Sequence, residues 1–198
     1  MTVEDFSASV RVVLSRYVSP GIVELRGSIS NGTFDQWSDV DLEASVERPL
    51  DAGFFCRLEA LLQSFHGPAL VRYDPDYRND KRARDIRFSF YELPVFWRVD
   101  LIVHSNVDTE RKYPDPFPEW SVGSSTLMNL MWALKYHLRK RREEADRYVS
   151  AACQKIGMKP MGYTTDNAVS ILCELAGRED VNYVLLSKAR EAITSAAA

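Results

Sequence analysis

The stretch that most constrains this chain runs from residue 22 to residue 42. An apolar run, Ile22 to Leu25, ends in Gly27-Ser28, and further on Ser38 leads into Asp39-Val40-Asp41-Leu42. The pattern predicts a strand, a glycine turn, a short link and a second strand. Side chains two apart on a strand share a face, so Asp39 and Asp41 are expected side by side. Like charges held together repel unless a cation sits between them or the face is open to water. Gly27 can take backbone angles closed to other residues and lets a ligand approach the main chain, while Ser28 offers a hydroxyl and an amide. A glycine-serine turn suits a phosphate, and an aspartate pair suits the magnesium that travels with it.

The rest of the chain supplies alternating elements. Phe6, Val10, Val13, Leu14 and Tyr17 form one face of a helix over residues 4–18, closed by Ser19-Pro20-Gly21. Phe54, Phe55, Leu58, Leu61, Leu62 and Phe65 predict a second helix over 51–65, ended by His66-Gly67-Pro68. Strands are expected at Ala69 to Tyr73, Ile86 to Leu93 and Val95 to Val103, with Glu92-Leu93-Pro94 turning between the last two. In the last strand Val99, Leu101 and Val103 take one face, and Arg98, Asp100 and Ile102 the other. An acidic group at Asp100, inside an apolar strand, is costly to bury unless something satisfies it. An exposed position or an ion pair with Arg98 would do so, and so would a shared cation site.

Pro114, Pro116 and Pro118 mark residues 113–119 as a linker, dividing the chain into domains at 1–112 and 120–198. Beyond the linker, Leu127, Leu130, Met131, Leu134 and Leu138 begin a helix expected to run to about Lys155. Thr165-Asp166 caps another that Gly177 stops, and Val181 to Ile193 predicts one more. The second domain thus reads as a helical bundle.

Gly27-Ser28, Gly32-Thr33, Trp37-Ser38 and Asp39-Val40-Asp41-Leu42 together resemble the signature of the DNA polymerase β-like nucleotidyltransferase superfamily. The form with a second glycine and a serine before the aspartates is most similar to small bacterial members, including those that adenylylate aminoglycoside and lincosamide antibiotics. The resemblance implies an α+β nucleotidyltransferase fold, a mixed β-sheet flanked by helices, followed by the helical bundle as a substrate-side domain. It implies an enzyme that moves a nucleoside monophosphate, AMP from ATP, onto a hydroxyl of a small molecule, with antibiotic resistance as the setting. Asp39 and Asp41 would bind two magnesium ions, and Asp100, the position matching the superfamily's third carboxylate, only the ion nearest the acceptor hydroxyl. Gly27 and Ser28 would hold the β- and γ-phosphates, with Ser38 and Lys135 completing the nucleotide-binding set. Many antibiotic-modifying relatives carry Arg three residues after the serine; Asn31 stands there here, so any contact of that Arg is missing.

The general base stays open among Glu92, Asp74, Asp76, Glu119 and Asp100. Lys135 lies beside the apolar stripe of its helix, and a solvated surface lysine is the competing expectation. Of two basic clusters, Arg139-Lys140-Arg141-Arg142 is expected to be solvated next to Glu143 and Glu144, and Lys81-Arg82-Ala83-Arg84 is left between a phosphate contact and a solvated link. Two further functions compete: an antitoxin-type nucleotidyltransferase that modifies a protein or an RNA end, and an inactive nucleotide- or partner-binding module.

Composition bounds the partners. The 198 residues carry a net charge of −3, which argues against a protein built to grip long nucleic acid. A charged start and the lack of a long apolar run predict a cytoplasmic protein without a membrane partner. NTP and a small acceptor are the expected partners, with a homodimer left open. Cys56, Cys153 and Cys173 are expected as buried free thiols, and His66, His104 and His137 lack metal-ligand spacing.

Overall fold

The structure, a computed structural model, describes residues 1–74, 77, 80–109 and 121–196. The chain divides into two compact units, Met1–Glu119 and Trp120–Ala198. The expected linker at 113–119 and the base candidates Asp76 and Glu119 lie outside the described residues.

The first unit is α+β. Helix α1, Val3–Val18, starts at Thr2, whose hydroxyl accepts from the Asp5 amide while the Asp5 carboxylate accepts from the Thr2 amide. This reciprocal cap satisfies amides that the first turn leaves without partners. Strand β1, Ile22–Leu25, is followed by a single helical turn, α2, Gly27–Ser30, and then by β2, Val40–Val46. Helix α3, Ala52–His66, is capped by Asp51, and β3, Ala69–Tyr73, β4, Ala83–Phe90, and β5, Arg98–Ser105, complete the unit.

The five strands lie in the order β1-β2-β5-β4-β3. β2 and β5 run parallel, and every other neighbouring pair is antiparallel, so the sheet is mixed. One face is apolar: Val40, Leu42, Ile86, Phe88, Val99 and Leu101 pack with Phe6 and Leu14 of α1 and with Phe54, Phe55, Leu58 and Leu62 of α3. Each such side chain removed from water contributes about 2 kcal/mol. The opposite face carries Asp41, Arg87, Arg98 and Asp100.

In the first unit the boundaries differ from the sequence pattern chiefly in three places. β4 begins at Ala83 and ends at Phe90, and β5 begins at Arg98, because Tyr91 to Trp97 form a wider connection than the expected tight turn. Gly27-Ser28 opens a helical turn instead of a simple turn. Asp39 sits just ahead of β2, one residue short of the expected strand.

The second unit is helical: α4, Val122–Leu138, α5, Arg142–Lys155, α6, Thr165–Ala176, and α7, Tyr183–Ser195. The helix expected to run to Lys155 is broken, because Lys140 takes a left-handed backbone with φ 59° and turns the chain between α4 and α5. Leu130, Leu134, Val149, Ile171, Leu175 and Leu185 are buried in the unit. Asp180 ties its start, accepting from the Gly123 amide at 2.7 Å and, through its carbonyl, from the Ser121 hydroxyl at 2.6 Å.

Of the cysteines only Cys153 is buried; Cys56 and Cys173 are exposed, each pointing off the apolar stripe of its helix, which corrects that expectation. No helix among the described residues is long and apolar enough to cross a membrane.

Candidate functional site

The parallel pairing of β2 with β5 sets Asp41 directly opposite Asp100. Asp39, at the entrance to β2, joins them. One carboxylate oxygen from each of Asp39, Asp41 and Asp100 lies within 4.8 Å of the others, the one such acidic cluster among the described residues. Asp39 is 7% exposed, and the other two are half-buried. The donor set is all oxygen and all carboxylate, which suits a hard divalent cation such as magnesium and not zinc or copper.

Gly27 stands against this cluster. Its φ is +61°, and a Cβ built on it would lie 2.9 Å from Asp41 Cγ and closer still to Oδ2. A glycine is therefore required twice, by the backbone angle and by the approach of the Asp41 carboxylate. The Arg26 amide donates to the Asp41 carbonyl at 2.8 Å, holding the end of β1 in place beside it. Ser28 reaches across to Ser38, donating its hydroxyl proton to Ser38 Oγ at 3.2 Å. Ser38 is fully buried, and its own hydroxyl donates to Asp35 Oδ1 at 3.1 Å.

Arg98 is the cation inside the acidic cluster. Its Nε and Nη2 donate to Oδ1 and Oδ2 of Asp100 at 2.5 and 2.6 Å, and Nη2 also donates to Asp39 Oδ2 at 3.3 Å. Burial by itself pushes the guanidinium down. The charge and hydrogen bonds of Asp100, then the charges of Asp39 and Asp41, more than reverse this and hold it above its ordinary value. Asp100 is thus both paired with Arg98 and part of the carboxylate cluster, two arrangements that the sequence set against each other. Each of its oxygens keeps a second lone pair for a metal.

The polar face continues away from β1. Arg87 lies opposite Asp100, and Arg72 opposite Arg87, so one row across four strands reads Arg72, Arg87, Asp100, Asp41. Arg87 donates to Asp74 at 2.8 Å and Asp85 at 3.1 Å, with its Nε 4.0 Å from Asp100. Burial, then Arg98 and Arg87, push the Arg72 guanidinium down to about 9, which leaves it a cation at neutral pH. Burial also pushes the Asp85 carboxyl up, against the opposing pull of Arg87. Arg87 and Arg72 escaped the sequence reading because only strand pairing sets them in one row with Asp100.

The structure places the other candidates elsewhere. Asp74 is engaged by Arg87, and Glu92 lies beside Gly67 at the end of α3; neither belongs to the acidic cluster. In the basic link, Arg82 pairs with Asp108 and Arg84 donates to the carbonyls of Tyr77, Asp80 and Ala83, which are structural roles.

Lys135 belongs to the second unit. It is 5% exposed, with its ammonium 4.4 Å from the Trp132 ring centroid, so the expectation of a solvated lysine is corrected. Trp132, Tyr136 and Tyr148 stack on one another with centroids 5.4 to 5.9 Å apart. Arg141 lies over Tyr136 and Arg147 over Tyr148. Of the second basic cluster, Lys140, Arg141 and Arg142 are exposed, as expected, while Arg139 is half-buried.

No family model and no curated protein matches this chain. The functional reading therefore stands on the residues and their geometry.

Proposed function

We propose that the protein is a magnesium-dependent nucleotidyltransferase with the DNA polymerase β-like fold, moving AMP from ATP onto a hydroxyl of a small molecule such as an aminoglycoside- or lincosamide-like antibiotic. The observation that carries this reading is the juxtaposition of the Asp39, Asp41 and Asp100 carboxylates with the Gly27 main chain. An acidic cluster alone suits many cations. One with a glycine main chain against it suits a cation that arrives with phosphates.

In the proposed reaction the acceptor oxygen forms a bond to the α-phosphorus, the bond from that phosphorus to the bridging oxygen breaks, pyrophosphate leaves and the acceptor hydroxyl gives up its proton to solvent water. Two magnesium ions held there would neutralise charge on the α-phosphate and on the departing pyrophosphate. Asp39, Asp41 and Asp100 would hold the magnesium. Arg98 keeps the Asp100 carboxylate oriented. Gly27 and Ser28 hold the β- and γ-phosphates, keeping the α-phosphorus in line with the attacking oxygen.

Titration calorimetry of ATP with and without magnesium, on the wild type and on Asp41→Asn, tests the proposal. Magnesium-dependent binding that the substitution weakens by about tenfold or more is expected. Absence of binding by ATP and by the other nucleoside triphosphates would overturn it in favour of a partner-binding module.

A further inference from the structure

Arg87 stands where the polar face of the first unit passes from carboxylates to cations. It lies directly opposite Asp100 in the pairing of β4 with β5, as Asp100 lies opposite Asp41 in the pairing of β5 with β2. Gly27 adjoins Asp41 from the β1 side. The order across the sheet is therefore glycine main chain, Asp41, Asp100, Arg87. Two strand spacings, about 10 Å, separate the backbones of Asp41 and Arg87.

The arginines of this face differ in what they can reach. Arg98 is buried, with its Nε and Nη2 given to Asp100 and Asp39. Arg72, behind Arg87 in the row, is 3% exposed. Arg87 keeps 23% of its side chain open to solvent, against 20% for Asp100, and its Nε lies 4.0 Å from Asp100 Oδ2. A molecule that reaches Asp100 thus comes beside the Arg87 guanidinium. The bonds from Arg87 to Asp74 and Asp85 both leave from Nη2. The approach to Asp100 is longer than a hydrogen bond, so none between these two residues is lost when a ligand arrives.

We propose that Arg87 receives the α-phosphate of the nucleotide. The inference rests on the triphosphate reading of Gly27 and Ser28. With the β- and γ-phosphates at the glycine end, the remaining phosphate is the one carried over the carboxylates toward β4, where Arg87 meets it. A guanidinium there makes charge-assisted hydrogen bonds to the non-bridging oxygens. It also offsets the charge that builds on the α-phosphoryl group as the acceptor oxygen attacks.

Calorimetric titration of the wild type, Arg87→Gln and Ser28→Ala tests this with three probes: magnesium chloride alone, ATP with magnesium, and pyrophosphate with magnesium. Circular dichroism melts establish folding. Arg87→Gln is expected to bind ATP about tenfold more weakly, the usual worth of a hydrogen bond to a charged group. It should bind pyrophosphate, which fills only the glycine end, as the wild type does. Magnesium alone should bind as tightly or more tightly, because a cation near Asp100 has been removed. Ser28→Ala should weaken ATP and pyrophosphate alike. An arginine that served only to brace the sheet would, when lost, disturb Asp100 and weaken magnesium together with ATP. That result, unchanged ATP affinity, or equal losses for ATP and pyrophosphate in Arg87→Gln would each overturn the proposal. Should Arg87→Gln fail to fold, Arg87→Lys keeps the charge without the planar fork and should show the same selectivity with a smaller loss. A wild type that binds magnesium but no nucleotide would instead defeat the nucleotide reading itself, and this inference with it.

Discussion

Replacing Gly27 with alanine separates a backbone effect from a site effect. The left-handed backbone at φ +61° costs an L-residue about 1–2 kcal/mol. For a chain of this size each kcal/mol is about 2–4 °C of melting temperature, so a drop of roughly 2–8 °C is expected from strain alone. The new methyl would also lie 2.9 Å from Asp41 Cγ and nearer to Oδ2, so the carboxylate has to leave its place in the cluster. Magnesium-dependent ATP binding should then weaken by about tenfold or more, as for other losses of ligand placement. Gly32 supplies the control. Its φ is +66°, but nothing lies within 4 Å of where its Cβ would be, so Gly32→Ala carries the strain without touching Asp41. Differential scanning calorimetry and ATP titration on both variants should show similar melting losses and an affinity loss in Gly27→Ala alone. Wild-type affinity in Gly27→Ala would refute the reasoning that this glycine exists to admit the Asp41 carboxylate.

Two further outcomes follow from the same structure. Arg98→Met removes the cation paired with Asp100 and Asp39, leaving two poorly compensated carboxylates, and should destabilise the protein by about 3 kcal/mol. Magnesium should then raise the melting temperature more in the variant than in the wild type; an equal rise would mean that the ion does not replace the missing charge. His66 packs edge-on against Phe6 and Phe90, with centroids 5.1 and 5.4 Å away, and burial lowers its pKa from the usual 6.5. The fold prefers the neutral ring, so this stability is fully present above pH 6.5 and is lost as pH falls through the lowered value. Urea denaturation at pH 7 and pH 5 should show a loss that His66→Phe reduces, and an unchanged loss in that variant would assign it to other groups.

The faces of each element were readable before any of them was placed. The period-two alternation in residues 98–103 put Asp100 opposite in facing to Val99 and Leu101, and the helix stripes of α1 and α3 named the core that now covers the apolar side of the sheet. The break at Lys140 left no such trace, since its left-handed backbone comes without glycine or proline. Nor did the burial of Lys135 over Trp132, which depends on packing within the helical unit.

The sequence by itself determined that Asp39 and Asp41 would lie together, that Gly27-Ser28 would precede them and that Asp100 would face away from the core, because neighbours along a chain obey the geometry of the strand or turn they occupy. Tertiary structure decided the rest. Only the parallel pairing of β2 with β5 sets Asp100 beside Asp41, and only that pairing lets Arg98 span 59 positions to meet Asp39. Which strands pair is settled by how a whole sheet buries its apolar face, a condition that no local window of residues contains.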